Sequence, residues 1–222
     1  MSTDRTGIRD RYASHARGAT GYYEDAGAFY ANPHVAAVAR GVGMAIATWP
    51  SIGLTGSRYL DLCCGAGEVT SALVAGGIPA ERVEACDPYT EDAYRARNGR
   101  SVVAGWTFAD IADGAVPVGR YDVAVCSYAL HLCEKSRLPG VCAALARVVP
   151  TLVVVTPHKR PILRSEWGYL LIDELHDPET RVRVRWYDST VARWIGSVDP
   201  TLARYQANSL PWSSKTDKMT WS

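Results

Sequence analysis

This chain of 222 residues has almost no net charge: 24 lysines and arginines stand against 23 aspartates and glutamates, leaving +1 at pH 7. That balance removes any chain-wide reason to expect nucleic acid or an anionic membrane as partner, although a local basic patch stays open. No apolar run is long enough to span a bilayer; the longest, Val35 to Trp49, is interrupted by Arg40. No secretory leader is expected, because Met1 to Arg11 is polar and charged. The six cysteines contain no CxxC pair, so no metal site is expected. They crowd into the central stretch (Cys63, Cys64, Cys86, Cys126, Cys133, Cys142), which reads as small core filler in a reducing compartment, not as a disulfide framework. There is no internal repeat and no long linker. A hydrophobic fraction of 47% with 21% charged residues argues against disorder, and the length suits one α/β domain with small additions. The expectation is a soluble, cytoplasmic protein without a membrane partner.

What is present is a strong local pattern, Tyr59-Leu-Asp-Leu-Cys-Cys-Gly-Ala-Gly-Glu-Val-Thr70. An apolar strand carries Asp61, a small-residue loop (Cys63, Gly65, Ala66, Gly67) follows, and a helix is predicted from about Glu68. Such a loop lets a ligand approach bare backbone, and the helix start favours anionic groups. Asp61 ahead of the loop is unusual for a phosphate site. It suggests a ligand bearing an ammonium as well as a carboxylate, or else a strand-end aspartate that caps its own loop.

The stretch from 58 to 156 alternates between short apolar strands (58–63, 82–87, 103–109, 121–127, 151–156) and helices (68–76, 90–98, 136–148). That alternation predicts a parallel sheet with crossover helices and a ligand site beyond the carboxyl ends of the strands. Before it, Asn32 and Pro33 signal the start of a helix over 35–48 that ends at Trp49-Pro50. After it, a helix is expected over 165–175. The alternating Arg181-Val-Arg-Val-Arg-Trp-Tyr187 reads as a half-exposed edge strand, to be paired antiparallel with another near 202–207.

These residues resemble the first motif of the class I S-adenosylmethionine (SAM)-dependent methyltransferases, with Cys63 where that pattern has its first glycine. The resemblance covers about 58–156. It implies a Rossmann-like, mostly parallel seven-stranded sheet with a C-terminal antiparallel hairpin, preceded by an N-terminal helical addition over 1–50 that serves as lid, the rest (51–222) being one unit. It also implies SAM as cofactor. Asp61 would place its amino-acid end, often through water, while the loop backbone approaches its sugar and methionine portions. Asp87, closing the next strand before Pro88 and Tyr89, can accept both ribose hydroxyls, with Tyr89 against the adenine; the alternative is a turn aspartate before proline. Asp110 would accept the adenine amine and the amide of Ile111 would serve the ring. Ser127, on the fourth strand, is expected at the rim beside the methyl group. A nicotinamide dinucleotide fits less well, because its third glycine position is Thr70.

The fourth strand reads Cys126-Ser-Tyr-Ala129, without the Asn/Asp-Pro-Pro-aromatic signature of enzymes that methylate nucleic-acid amino groups. With the neutral charge, this points to O- or N-methylation of a small metabolite. An RNA or protein methyltransferase, or an inactive SAM-binding partner subunit, are the rival readings. His131 is the general-base candidate by position, or else a loop cap or a support for the adenine. Pro157-His158-Lys159-Arg160-Pro161 forms either a stiff loop gripping an anion, with His158 as a second base and Lys159 and Arg160 as substrate contacts, or a solvated turn. Tyr22, Tyr23, Tyr30 and His34 either cover the substrate and shield the sulfonium or pack the N-terminal helix onto the sheet.

Overall fold

The computed structural model describes residues 15, 17–27, 30–50 and 57–191. The sheet is built from β1 (Tyr59–Leu62), β2 (Val83–Cys86), β3 (Val123–Ser127), β4 (Thr151–Thr156), β5 (Tyr169–His176) and β6 (Arg183–Ser189). Their order is β2-β1-β3-β4-β6-β5. The first four are parallel, and β6 runs antiparallel to both β4 and β5. The helices are α1 (Gly18–Ala26), α2 (Val35–Thr48), α3 (Glu68–Ala75), α4 (Glu91–Asn98), α5 (Phe108–Ala112) and α6 (Leu138–Val148).

Strand alternation divides the core into two layers. Tyr59, Val83, Val123, Val125, Val153, Val155 and Val184 pack under Val38, Val42 and Ala45 of α2 and Val69 and Leu73 of α3. Leu60, Leu62, Ala124, Cys126, Leu152 and Val154 face the other way, under Ile111 of α5 and Val141, Cys142 and Leu145 of α6. Each such valine or leucine contributes roughly 1.5–3 kcal/mol by leaving water, so this two-sided burial fixes the strand register. All six cysteines are free, and all but Cys63 are buried.

The chain leaves β1 for β2 on one side and later returns to β3 on the other. The carboxyl ends of β1 and β3 therefore flank the crevice where ligands bind in such sheets.

Among the described residues the sheet has six strands, where seven were expected over the chain. The stretch 103–109 contributes a single bridge, Ala104 to Cys86, because Thr107 and Asp110 form a capping box that starts α5 at Phe108. The expected helix over 165–175 is a short turn of 3₁₀ helix (Ser165–Trp167) followed by β5. Gly168, at φ 98°, ends the turn, and Tyr169 to His176 pair along β6. Nor is 181–187 an edge: β6 is enclosed by β4 and β5, and Arg185 is 1% exposed. The antiparallel hairpin is thus β5–β6, while the expected strand near 202–207 lies outside the described residues. The helix at 35–48 forms as expected, but Asn32 acts two residues ahead of the cap: its Oδ1 accepts the amide of His34, which takes the cap position.

Candidate functional site

Where β1 ends, the backbone turns left-handed three times: Cys63 at φ 57°, Gly65 at φ 56° and Gly67 at φ 84°. Cys63 thus adopts the conformation a glycine would hold there, at a cost of about 1–2 kcal/mol. A Cβ on Gly65 would stand 2.9 Å from Cε1 of Tyr30, and one on Gly67 would stand 2.2 Å from Nδ2 of Asn98. The loop is therefore closely roofed by Tyr30 on one side and packed on α4 on the other. The amide of Gly67 closes the turn onto the carbonyl of Cys64 at 2.8 Å.

Asp61 is wholly buried beneath this loop. The amide and hydroxyl of Thr70 donate to its Oδ2 at 2.9 and 2.8 Å, so it anchors the first turn of α3. Its Oδ1 has no hydrogen-bond partner among the described residues. Burial pushes its carboxyl up to about 8, against the lowering effect of the two Thr70 bonds, and the nearby Glu68 and Asp87 carboxyls add to the rise.

Asp87 knits two loops. Its Oδ2 accepts the amide of Gly65 at 3.2 Å, and its Oδ1 accepts the amides of Tyr89 and Thr90 at 2.9 and 3.1 Å. Burial raises its pKa. Asp87 is thus bonded as a turn aspartate, and it also lines the cleft.

That cleft opens over the carboxyl ends of β1, β2 and β3 and is continuous with solvent. Of the expected residues, it brings together Cys63, Gly65, Asp87, Pro88, Tyr89, Ser127, Tyr23 and Tyr30. Cys64, Glu68, Asn32, Trp106, Thr107, Phe108, Tyr128, Ala129 and Leu132 complete the lining. Asp61, Ala66 and Gly67 lie outside the lining and shape the loop. Tyr89 stacks on Tyr23 with ring centroids 6.3 Å apart, and Tyr23 meets Tyr30 at 5.5 Å. Tyr22 packs against His15 and Tyr23, and His34 stacks on Tyr128 at 4.8 Å; neither lines the cleft.

Glu68, at the helix start directly after Gly67, is a cleft residue that the sequence pattern does not mark out. It is buried, bonded to Arg97 at 2.5 Å and to Asn32, and its pKa is raised by burial. Tyr128 holds φ 53°, a second left-handed non-glycine residue at the end of a neighbouring strand. Two such costly conformations flanking one crevice are the usual mark of a built site.

Asp110 and Ile111 lie outside the cleft lining, next to Thr107 and Phe108, which belong to it. Asp110 is exposed, and its Oδ2 takes the amide and hydroxyl of Thr107, which hold its carboxyl below the ordinary range. The amide of Ile111 is committed to the carbonyl of Thr107 inside α5, so it has no proton to offer a ligand. Trp106, Thr107 and Phe108 are what this segment presents to the cleft.

The two histidines meet. His131, in the 3₁₀ turn Leu130–Leu132 after β3, and His158, after β4, have ring centroids 4.4 Å apart in an edge-to-face arrangement. Neither lines the cleft, but Ala129 and Leu132 on either side of His131 do. Lys159 and Arg160 are exposed, and the carbonyl of Lys159 is held from below by Arg185.

Residues 60–151 match the family model described as a methyltransferase domain. The uncharacterized protein C17A5.05c of Schizosaccharomyces pombe is 32% identical over 203 residues, covering 73% of this chain and 79% of its own. Among solved structures, magnesium protoporphyrin IX methyltransferase (ChlM) from Synechocystis PCC 6803 with bound SAH is similar with a TM-score of 0.54 at 15% identity. That match covers 82% of this chain and 98% of that one. The mitomycin 7-O-methyltransferase MmcR is similar with a TM-score of 0.52 at 16% identity over 68% of this chain, which spans about half (54%) of that enzyme.

Proposed function

The chain belongs to the class I SAM-dependent methyltransferases, and from that premise we propose that it methylates an oxygen or nitrogen of a small metabolite, an anionic one being favoured. SAM supplies a methyl group on a sulfonium, which a nucleophile displaces in line. The described residues fit this cofactor. The orphaned buried oxygen of Asp61 suits the pull of an ammonium, and Asp87 with Tyr89 offers a carboxylate and a ring face in the cleft.

The observation that carries the small-molecule reading is the roof. Tyr30 lies directly on Gly65, and Tyr23 bridges it to Tyr89, so the N-terminal segment covers the motif loop instead of leaving an open groove for a polymer. Covering aromatic faces exclude water and favour a sulfonium by cation–π attraction. By their names, the mitomycin and magnesium protoporphyrin enzymes act on small molecules. Lys159 and Arg160, on a loop tied to the sheet, supply positive charge for an anionic acceptor. Where the acceptor holds a proton at working pH, His131 takes it and His158 supports the ring.

The test is a fractionation. Methyl-labelled SAM is incubated with the protein and with separated pools of small metabolites, RNA and protein. Label in small molecules retained by an anion exchanger is the expected result. Label in RNA, together with retention on heparin at physiological salt, or label in protein would replace this reading. No label anywhere from a protein that binds SAM, combined with a co-purifying second chain, would make it a partner's SAM-binding subunit.

No helix among the described residues is long and apolar enough to cross a membrane.

A further inference from the structure

Arg185 occupies a position where strand alternation asks for an apolar side chain. It lies on β6 between Val184 and Trp186, which pack on one layer, and two residues before Leu163's partner Tyr187, which packs on the other. It is 1% exposed, and its register partner on β4 is Val154. Four hydrogen bonds use its guanidinium. Nε donates to Glu174 Oε2 at 2.5 Å, Nη1 to the carbonyl of Pro161 at 3.0 Å, and Nη2 to those of Lys159 and His158 at 2.9 and 3.3 Å.

A buried ion pair is a poor device for stability, since an apolar residue of similar volume often serves as well or better. What an apolar residue cannot do is hold three carbonyls of one loop at once, which needs the planar fork of arginine. The loop so held runs from Pro157 to Leu163. Its other anchors are the amide of His158, given to Thr156 Oγ1 at 3.1 Å, and the amide of Leu163, given to Tyr187 Oη at 3.4 Å. The peptide groups on both sides of His158 are therefore fixed. Its ring then stands edge-on to His131.

We propose that Arg185, anchored by Glu174, is a positioning residue that sets His158 against His131, whose neighbours Ala129 and Leu132 line the cleft. The catalytic part of this statement rests on the reading of His131 as the base. The placement of the rings does not, and the two are tested separately.

The test uses the full chain with histidine rings labelled for NMR, comparing wild type, Arg185→Lys and His158→Ala. Lysine keeps the charge beside Glu174 but loses the fork. The expected result is that Arg185→Lys moves the ring signals of both histidines toward those of solvent-exposed histidine. His131 should shift as it does in His158→Ala, while SAM affinity by calorimetry stays within about twofold. Unchanged ring signals in a folded Arg185→Lys protein would overturn the proposal, as would a general shift of signals across the sheet accompanied by lost SAM binding. Should that variant not fold, Glu174→Gln, at a half-buried position, removes the anchor instead and is read on the same two signals. With the acceptor found by fractionation, Arg185→Lys is expected to lower kcat about 10- to 100-fold and to add little to His158→Ala. Full turnover by His158→Ala would dismiss the base reading while leaving the ring placement decided by NMR.

Discussion

Replacing Asp61 by asparagine keeps the shape of the side chain and removes its titration, so it isolates what a buried carboxyl does to stability. In the unfolded chain Asp61 ionises near 3.8; in the fold burial holds its proton until about pH 8. Its contribution is therefore fully present below about pH 4 and is lost as pH rises toward 8, because folding must then take up a proton that the unfolded chain has released. The gap is worth, at about 1.4 kcal/mol per pH unit, on the order of 5 kcal/mol across that window. Between pH 5 and 7 alone, the wild-type chain is expected to lose about 2.7 kcal/mol relative to Asp61→Asn. Glu68 and Asp87, whose carboxyls are also raised, remain in both proteins and largely cancel. Asparagine brings a constant offset from its unmatched amide protons, which does not alter the slope. Urea unfolding of both proteins at pH 5, 6, 7 and 8, without SAM, reads the difference. Parallel stability curves would refute the claim that Asp61 is buried with its proton.

Three further outcomes follow from the same geometry. Gly67→Ala places a Cβ 2.2 Å from Asn98 Nδ2 at φ 84°, so strain and overpacking together should cost about 2–4 kcal/mol in urea unfolding. Asp87→Ala should raise the SAM dissociation constant at least tenfold by calorimetry. It should also lower stability by about 1–3 kcal/mol, because it strands the amides of Gly65, Tyr89 and Thr90. His131→Ala should lower kcat about 10²-fold or more while leaving SAM affinity within twofold; unchanged turnover on an acceptor hydroxyl would remove its role as base.

The motif around Asp61 was legible because its chemistry is local: an apolar strand, three small residues in tight turns and a helix start need no distant partner to be recognised. The same holds for β2, β3, β4 and α2, whose apolar runs are bounded by turn residues. The failures lie where distant pairing or competing local bonds decide. Tyr169-Leu-Leu-Ile172 suits a helix or a strand, and only its pairing with β6 settles the matter. Thr107 and Asp110 stand three residues apart, the spacing of a capping box. That spacing is present in the sequence and explains why 103–109 gives a helix start in place of a strand. Arg185 looked like one of three exposed edge arginines, because alternation reports which residues share a face and not whether another strand covers it. Glu68 and Tyr128 went unremarked for a related reason. Their place in the cleft depends on Arg97, Asn32 and His34, which only the fold brings near.

The central claim is that the cleft over β1, β2 and β3 holds SAM, and calorimetric titration of the purified chain with SAM, its demethylated product and NAD tests it most directly. The account predicts micromolar binding of the first two, at one site per chain and weakened by Asp87→Ala, with none of NAD. Binding of NAD in preference, or SAM binding indifferent to Asp87→Ala, would contradict it.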